Sequence, residues 1–196
     1  MSTLVKSMGK PRLSVKTQTI AAIIAVVGAV VVPQLFHAMG AVSGLGTALG
    51  ETFLPMHLPI ILVGLLAGPY AGAAAGLSGP LASHLMTGMP GSVMLPFMMI
   101  ELCAYGIVSG LLRNIKIPSI AKVLIVQICG RAIRAAAILT AVYALGNDTV
   151  KVSVIWNSIA VGLPGLLLQW SLIPLLIFRI ENNKGRENQG DTSQSL

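Results

Sequence analysis

The 196-residue chain is 55% hydrophobic and only 10% charged, and its formal net charge is +7. A soluble globular chain carries about 25% charged residues, so this composition excludes an ordinary water-soluble domain, and the high apolar content excludes a disordered chain. Basic residues beside long apolar stretches indicate a membrane protein with basic flanks, not a nucleic-acid-binding protein.

The spacing of the charged residues predicts six membrane-spanning helices. Between Lys16 and Glu51 lie 34 uncharged residues, and between Glu51 and Glu101 lie 49. A span needs about 20 apolar residues, so the first interval holds one helix and a loop, and the second holds two helices. In chain order the predicted helices cover residues 18–39, 53–67, 70–85, 92–112, 119–145 and 150–180. Residues 1–17 are a predicted cytoplasmic N-terminal segment, and residues 181–196 are a predicted disordered cytoplasmic tail.

The basic residues predict the orientation of these helices. They cluster before the first helix, between the fourth and fifth, and after the sixth. An even number of spans brings all three clusters to one side, which the positive-inside rule makes cytoplasmic. Only Lys151 falls on the opposite side. The predicted fold is therefore an all-α protein of the cell membrane, a six-helix transmembrane bundle over residues 18–180 with both termini inside.

Three charged side chains lie deep inside predicted spans, away from the helix ends. Glu101 is in the fourth helix, and Arg131 and Arg134 are in the fifth. A charge at the centre of a span costs about 2.5–3.5 kcal/mol on insertion scales, and such residues normally face the bundle interior or a water-filled cavity. Two interpretations remain open, a structural ion pair and the lining of a ligand cavity. The surplus positive charge suits a substrate with a carboxylate or another electronegative group.

The embedded polar side chains concentrate in the outer half of the predicted bundle, at a rise of about 1.5 Å per residue. This asymmetry predicts a pocket that opens outward rather than a channel. The predicted substrate-binding residues are His57, His84, Glu101, Arg131, Arg134, Trp156 and Asn157. No metal site or cofactor is predicted, because no His, Cys or carboxylate groups have metal-ligand spacing.

Four of these residues have a structural alternative. Trp156 also suits the aromatic belt at a membrane interface, and His84 also suits an interfacial position. His57 also suits a helix start that bonds a loop carbonyl, and Asn157 also suits a hydrogen bond between helices.

Small residues repeat every four positions in two predicted helices. Ala21, Ala25 and Ala29 form one ladder, and Gly68, Gly72 and Gly76 begin another. Small residues at this spacing let helices approach closely in lipid. Two ladders in six helices suggest that one contacts another protein, and the apolar first helix is the better candidate.

Two other functional classes fit the sequence less well. The segment Gly76-Leu77-Ser78-Gly79 resembles the serine motif of rhomboid intramembrane proteases, but the sixth predicted helix has no histidine to complete a dyad. The protease is therefore a remote alternative. An autonomous secondary transporter is the nearer one. The chain has no P-loop motif with which to hydrolyse ATP itself.

Several segments together resemble the S components, which are the substrate-binding membrane subunits of energy-coupling-factor (ECF) vitamin transporters. The resemblance covers about residues 18–180. It includes Leu54-Pro55-Met56-His57-Leu58-Pro59 with the glycines that follow, and Thr87-Gly88-Met89-Pro90 with Met98-Met99-Ile100-Glu101-Leu102 after it.

The resemblance implies a transport subunit without an ATPase site. Such a subunit captures a vitamin or vitamin precursor from outside and works with a coupling membrane protein and two ATP-binding subunits. The family's AxxxA docking motif maps onto Ala21, Ala25 and Ala29. No nucleic acid is expected as a partner.

Overall fold

The computed structural model describes residues 13–46 and 48–194, with side chains described as far as residue 180. Every regular element in these residues is helical, which confirms the all-α prediction. The elements are α1 (Val15–Ser43), α2 (Ala48–Phe53), α3 (His57–Ala67), α4 (Pro69–Thr87), α5 (Leu95–Leu112), α6 (Ser119–Leu139), a π-helical segment (Thr140–Ala144) and α7 (Ser153–Gln194).

Five helical stretches of the described chain are long and apolar enough to cross a bilayer. They are Val15–Ser43, Ala48–Ala67, Leu95–Leu112, Ser119–Ala144 and Ser153–Ile180. The 19-residue α4 is not among them, because its many glycines and its Ser and His residues give it a lower mean hydropathy. It nevertheless packs against α1, α3 and α5 inside the bundle. The predicted 70–85 helix is therefore present, while its own apolarity does not mark it as a span.

The second and last predicted helices differ from the observed elements. The predicted 53–67 helix begins only at His57, as α3, while Phe53 ends the separate helix α2. The break falls at Leu54, whose φ is 48°, and Pro55 lacks the N–H that a continuous helix would use. The last helix does not end at residue 180. The backbone of α7 stays helical through Gln194, so it covers most of the predicted disordered tail.

Glycines bring α4 and α5 into direct backbone contact. A methyl group added at Gly106 would lie 2.1 Å from the carbonyl carbon of Gly72, and one added at Gly76 would lie 2.3 Å from the carbonyl oxygen of Leu102. Only residues without a side chain allow this separation. The glycine ladder of α4 therefore serves packing within the chain.

The alanine ladder of α1 also faces the bundle. Ala29 has no exposed surface and Ala25 is buried, while Ala21 is partly buried against the same core. A methyl group at Gly79 of α4 would lie 3.1 Å from the Cβ atom of Ala29. The exposed side of α1 instead carries large aliphatic residues, among them Ile23, Ile24, Val27 and Val31.

A chain of hydrogen bonds joins α6 and α7 to the break between α2 and α3. The indole N–H of Trp170 donates to Oε1 of Gln127, and Nε2 of Gln127 donates to Oε1 of Gln169 at 3.1 Å. Nε2 of Gln169 then donates to the backbone oxygen of Leu54 at 3.3 Å. These polar groups are satisfied by one another in an apolar interior, and they hold the Leu54 turn in place.

Candidate functional site

A cavity of about 350 Å³ lies at the end of the bundle opposite the N-terminal end of α1. Its wall is built from the ends of helices that meet there: the C-terminal parts of α1, α4 and α6 and the N-terminal parts of α3, α5 and α7, with α2 and the α4–α5 connection at the rim. The lining includes Pro33, His37, Gly50, Glu51, Leu54, Met56, His57, Ser83, Met89, Pro90, Met94, Met98, Arg134, Val154, Asn157, Ser158 and Val161.

An ion pair between α5 and α6 supports this wall. Nη1 of Arg134 donates to Oε2 of Glu101 at 2.9 Å, and the hydroxyl of Tyr105 donates to Oε1 at 2.9 Å. Glu101 has no exposed surface, whereas the Arg134 side chain keeps 13%. Arg134 therefore contacts the cavity, and Glu101 lies behind it. A buried carboxylate needs such partners, because burying an unpaired charge is costly.

His57 occupies the first turn of α3 on the cavity wall. It is 1% exposed, and its Nε2 lies 3.9 Å from Oε1 of Glu101. Its ring centroid is 5.2 Å from that of Tyr105. Neither ring nitrogen has a hydrogen-bond partner within the described part of the chain. Buried polar groups are normally paired, so this imidazole is suited to bond a group that enters the cavity.

Arg131 lies one turn before Arg134 on α6 and lines a second, smaller space. Its Nη1 donates to the backbone oxygen of Ser158 at 3.2 Å. A recess of about 10 Å³ is bordered by Arg131, Arg134 and Ser158 together with aliphatic side chains. Arg134 and Ser158 also line the main cavity, so the two spaces are neighbours.

The remaining predicted site residues have different positions. Asn157 lines the cavity. Trp156, its neighbour in sequence, is 72% exposed and is not part of the wall. Nδ1 of His84 is 2.7 Å from the backbone oxygen of Pro90, so His84 supports the rim instead of lining the cavity. Ser78, the serine of the protease-like segment, is exposed on α4 and lies outside the wall.

Sequence reasoning missed the methionines and a histidine of the wall. Met56, Met89, Met94 and Met98 all line the cavity, as does His37. Methionine carries no charge and gives no polar signal in an apolar chain, although three of the four fall within ten residues around the α4–α5 connection. Among the described residues, no three His, Cys, Asp or Glu side chains come together as metal ligands.

The same helices fall within a recognised family. A family model described as ECF transporter, substrate-specific component, matches residues 15–178. No curated protein and no solved structure matches the chain. The matched segment begins at the first residue of α1 and extends nearly to the end of the apolar part of α7, so it includes every helix that lines the cavity. The chain therefore belongs to the family of ECF transporter substrate-specific components.

Proposed function

We propose that this protein is the substrate-binding subunit of an ATP-driven ECF importer and that it captures a vitamin-like small molecule in the cavity described above. The cavity carries the proposal. Ligand pockets of small molecules measure about 300–1,000 Å³ and combine an apolar wall with a few placed polar groups. The observed cavity has about 350 Å³ and an apolar wall interrupted by Arg134, His57 and Asn157.

The proposed orientation has both termini in the cytoplasm and the cavity facing outward. Among the described basic residues outside the cavity region, Lys16, Arg113, Lys116, Lys122 and Arg179 lie at the end of the bundle away from the cavity, and Lys151 lies near it. The positive-inside rule favours the first group on the cytoplasmic side. A substrate would then reach the cavity from outside the cell.

Energy for transport would come from partners. We propose a coupling membrane protein with two ATP-binding subunits, and α1 as the helix that meets the coupling protein. Within the described chain α1 packs against α2, α3 and α4, so its Ile and Val side remains available. The predicted role of Ala21, Ala25 and Ala29 in docking stays a prediction, since burial of the last two also fits packing within the bundle.

A variant that fills the cavity tests the binding role. Val161 lines the cavity and is 44% exposed, so Val161→Trp adds bulk to the site without entering the core. Val31→Trp is the matched control, because Val31 is 49% exposed on α1 away from the cavity. We expect Val161→Trp to lose the small molecule that copurifies with the wild type, as measured by mass spectrometry, while Val31→Trp retains it.

Different results would contradict the proposal of ligand binding and the proposal of coupling to ATP-binding subunits. If both tryptophan variants keep the copurified molecule, the cavity is not the binding site. Transport into liposomes by the purified chain alone, without ATP-binding subunits, would instead indicate an autonomous transporter. Recovery of the coupling subunits with the wild-type chain is the expected result.

A further inference from the structure

Two arginines border the cavity and its recess, but only one buried carboxylate balances them. Arg134 is paired with Glu101 at 2.9 Å, whereas no carboxylate of the described residues lies within ion-pair distance of Arg131. Glu51 also lines the cavity, but it is exposed, and water and salt screen such charges. The buried part of the site therefore has one positive charge in excess.

The excess charge comes with unused hydrogen-bond donors. Nε and Nη2 of Arg131 and Nε of Arg134 are buried, and none of them has a partner among the described residues. A buried donor without an acceptor costs free energy, and a charged one costs more. An acceptor that enters from outside the chain would remove this cost. Carboxylates and phosphates both form short charge-assisted hydrogen bonds with a guanidinium, and the single charge of a carboxylate matches the one positive charge in excess.

The size of the recess limits what enters it. Its volume of about 10 Å³ is roughly that needed for a single water-sized atom. Because Arg134 and Ser158 are shared with the main cavity, a group at this boundary extends one atom into the recess and leaves the rest of the molecule in the cavity. One carboxylate oxygen fits this arrangement, with the second oxygen on the cavity side near Arg134.

The methionines of the wall limit the rest of the ligand. Met56, Met89, Met94 and Met98 contribute thioether side chains to the lining. Methionine is flexible and polarisable, and its sulfur makes favourable contacts with aromatic rings. A second anionic group would find no further unpaired cation here, because only one positive charge is in excess.

We propose that the substrate is a monocarboxylate with an apolar, ring-containing body. Its carboxylate bridges Arg131 and Arg134 at the recess, and its ring lies against the four methionines. This inference rests on the proposed function, since it names the ligand class of the same cavity.

Two probes of equal size test the class without knowledge of the natural ligand. 3-Phenylpropionate and 3-phenylpropanamide differ in charge but hardly in shape. The melting temperature of the full chain in lipid nanodiscs, titrated with each probe, gives the apparent affinities. We expect the acid to bind at least about tenfold more tightly than the amide, a difference of about 1.4 kcal/mol.

Arg131→Gln is the informative variant, because Arg131 has no carboxylate partner whose charge would be left buried. We expect this variant to lower the affinity for the acid to that for the amide. The affinity for the amide should stay unchanged. Lys151→Gln is the control, since Lys151 is an exposed cation outside the cavity wall, and it should keep the wild-type preference.

Three results would overturn the inference. The first is equal binding of acid and amide by the wild type, as expected if the recess holds only a water molecule. The second is the absence of any response to either probe. The third is an acid preference that survives Arg131→Gln. The copurified molecule gives a second readout. A neutral or cationic molecule that copurifies while uptake is intact contradicts the monocarboxylate class and leaves the transport proposal standing.

Discussion

Glu101 illustrates how the site depends on single residues. Its carboxylate has no exposed surface and is held by Arg134 on one oxygen and Tyr105 on the other. Glu101 itself does not line the cavity, but it places the guanidinium of Arg134 there. The two interpretations left open by the sequence are thus compatible, because one arginine belongs both to a structural pair and to the cavity wall.

Removing one partner of the Glu101–Arg134 pair should lower the stability of the protein more than removing both. Arg134→Gln leaves the Glu101 charge buried without its cation, and we expect the free energy of unfolding to fall by about 3–5 kcal/mol. The double variant Glu101→Gln, Arg134→Gln removes both charges and should recover most of that loss. Denaturation of the purified protein in detergent measures both. Arg179→Gln, at an exposed position, should leave stability unchanged, and equal losses in the single and double variants would contradict the ion-pair account.

At the scale of helices, hydropathy and charge spacing predict that a helix exists better than they predict where it ends or which of its sides faces the cavity. Five of the six predicted helices correspond to stretches apolar enough to span, because a long run of apolar residues has few alternatives in a bilayer. The break at Leu54 was not predicted, since it depends on a positive φ stabilised by Gln169, a residue 115 positions away.

The faces of helices were harder to predict, as two neighbours on α7 show. Asn157 lines the cavity and Trp156 does not, although both side chains can form hydrogen bonds and both lie at nearly the same depth. Successive residues on a helix point about 100° apart, so neighbours at one depth face different sides, and the packing of the helix decides which of them meets the cavity. The alanine ladder raised the same difficulty, because spacing by four defines a stripe but not the helix that covers it.

Two leucine substitutions in α1 distinguish packing within the bundle from docking on a coupling protein. Ala29→Leu introduces bulk where Ala29 meets Gly79 at close range, so we expect a loss of about 1–3 kcal/mol in stability, as is typical of an overpacked core. Ala38→Leu, at an exposed position of the same helix, should not affect stability. Thermal melting in detergent measures both variants. If Ala29→Leu melts normally but no longer copurifies with the coupling subunits, the alanine ladder is a docking surface after all.

For the whole molecule, the orientation in the membrane is the main expectation to check. Single cysteines at Asp148, in the loop before α7, and at Asn183, just beyond the apolar part of α7, would report the two sides of the membrane to a membrane-impermeant maleimide in a background without Cys103 and Cys129. We expect labelling of intact cells at 148 and protection at 183, because the basic loops lie at the end away from the cavity. Labelling at 183 with protection at 148 would invert the orientation and make the cavity face the cytoplasm.

The backbone contact between α4 and α5 has a consequence for how the cavity changes shape. At Gly72, Gly76 and Gly106 the backbones of the two helices touch directly. No layer of side chains lies between them there, so we expect α4 and α5 to move as one rigid body. At the rim of the cavity, α2 has only six residues and none of them is buried. We therefore expect any widening that admits or releases a ligand to occur on the α2 side, with the α4–α5 pair as the fixed frame.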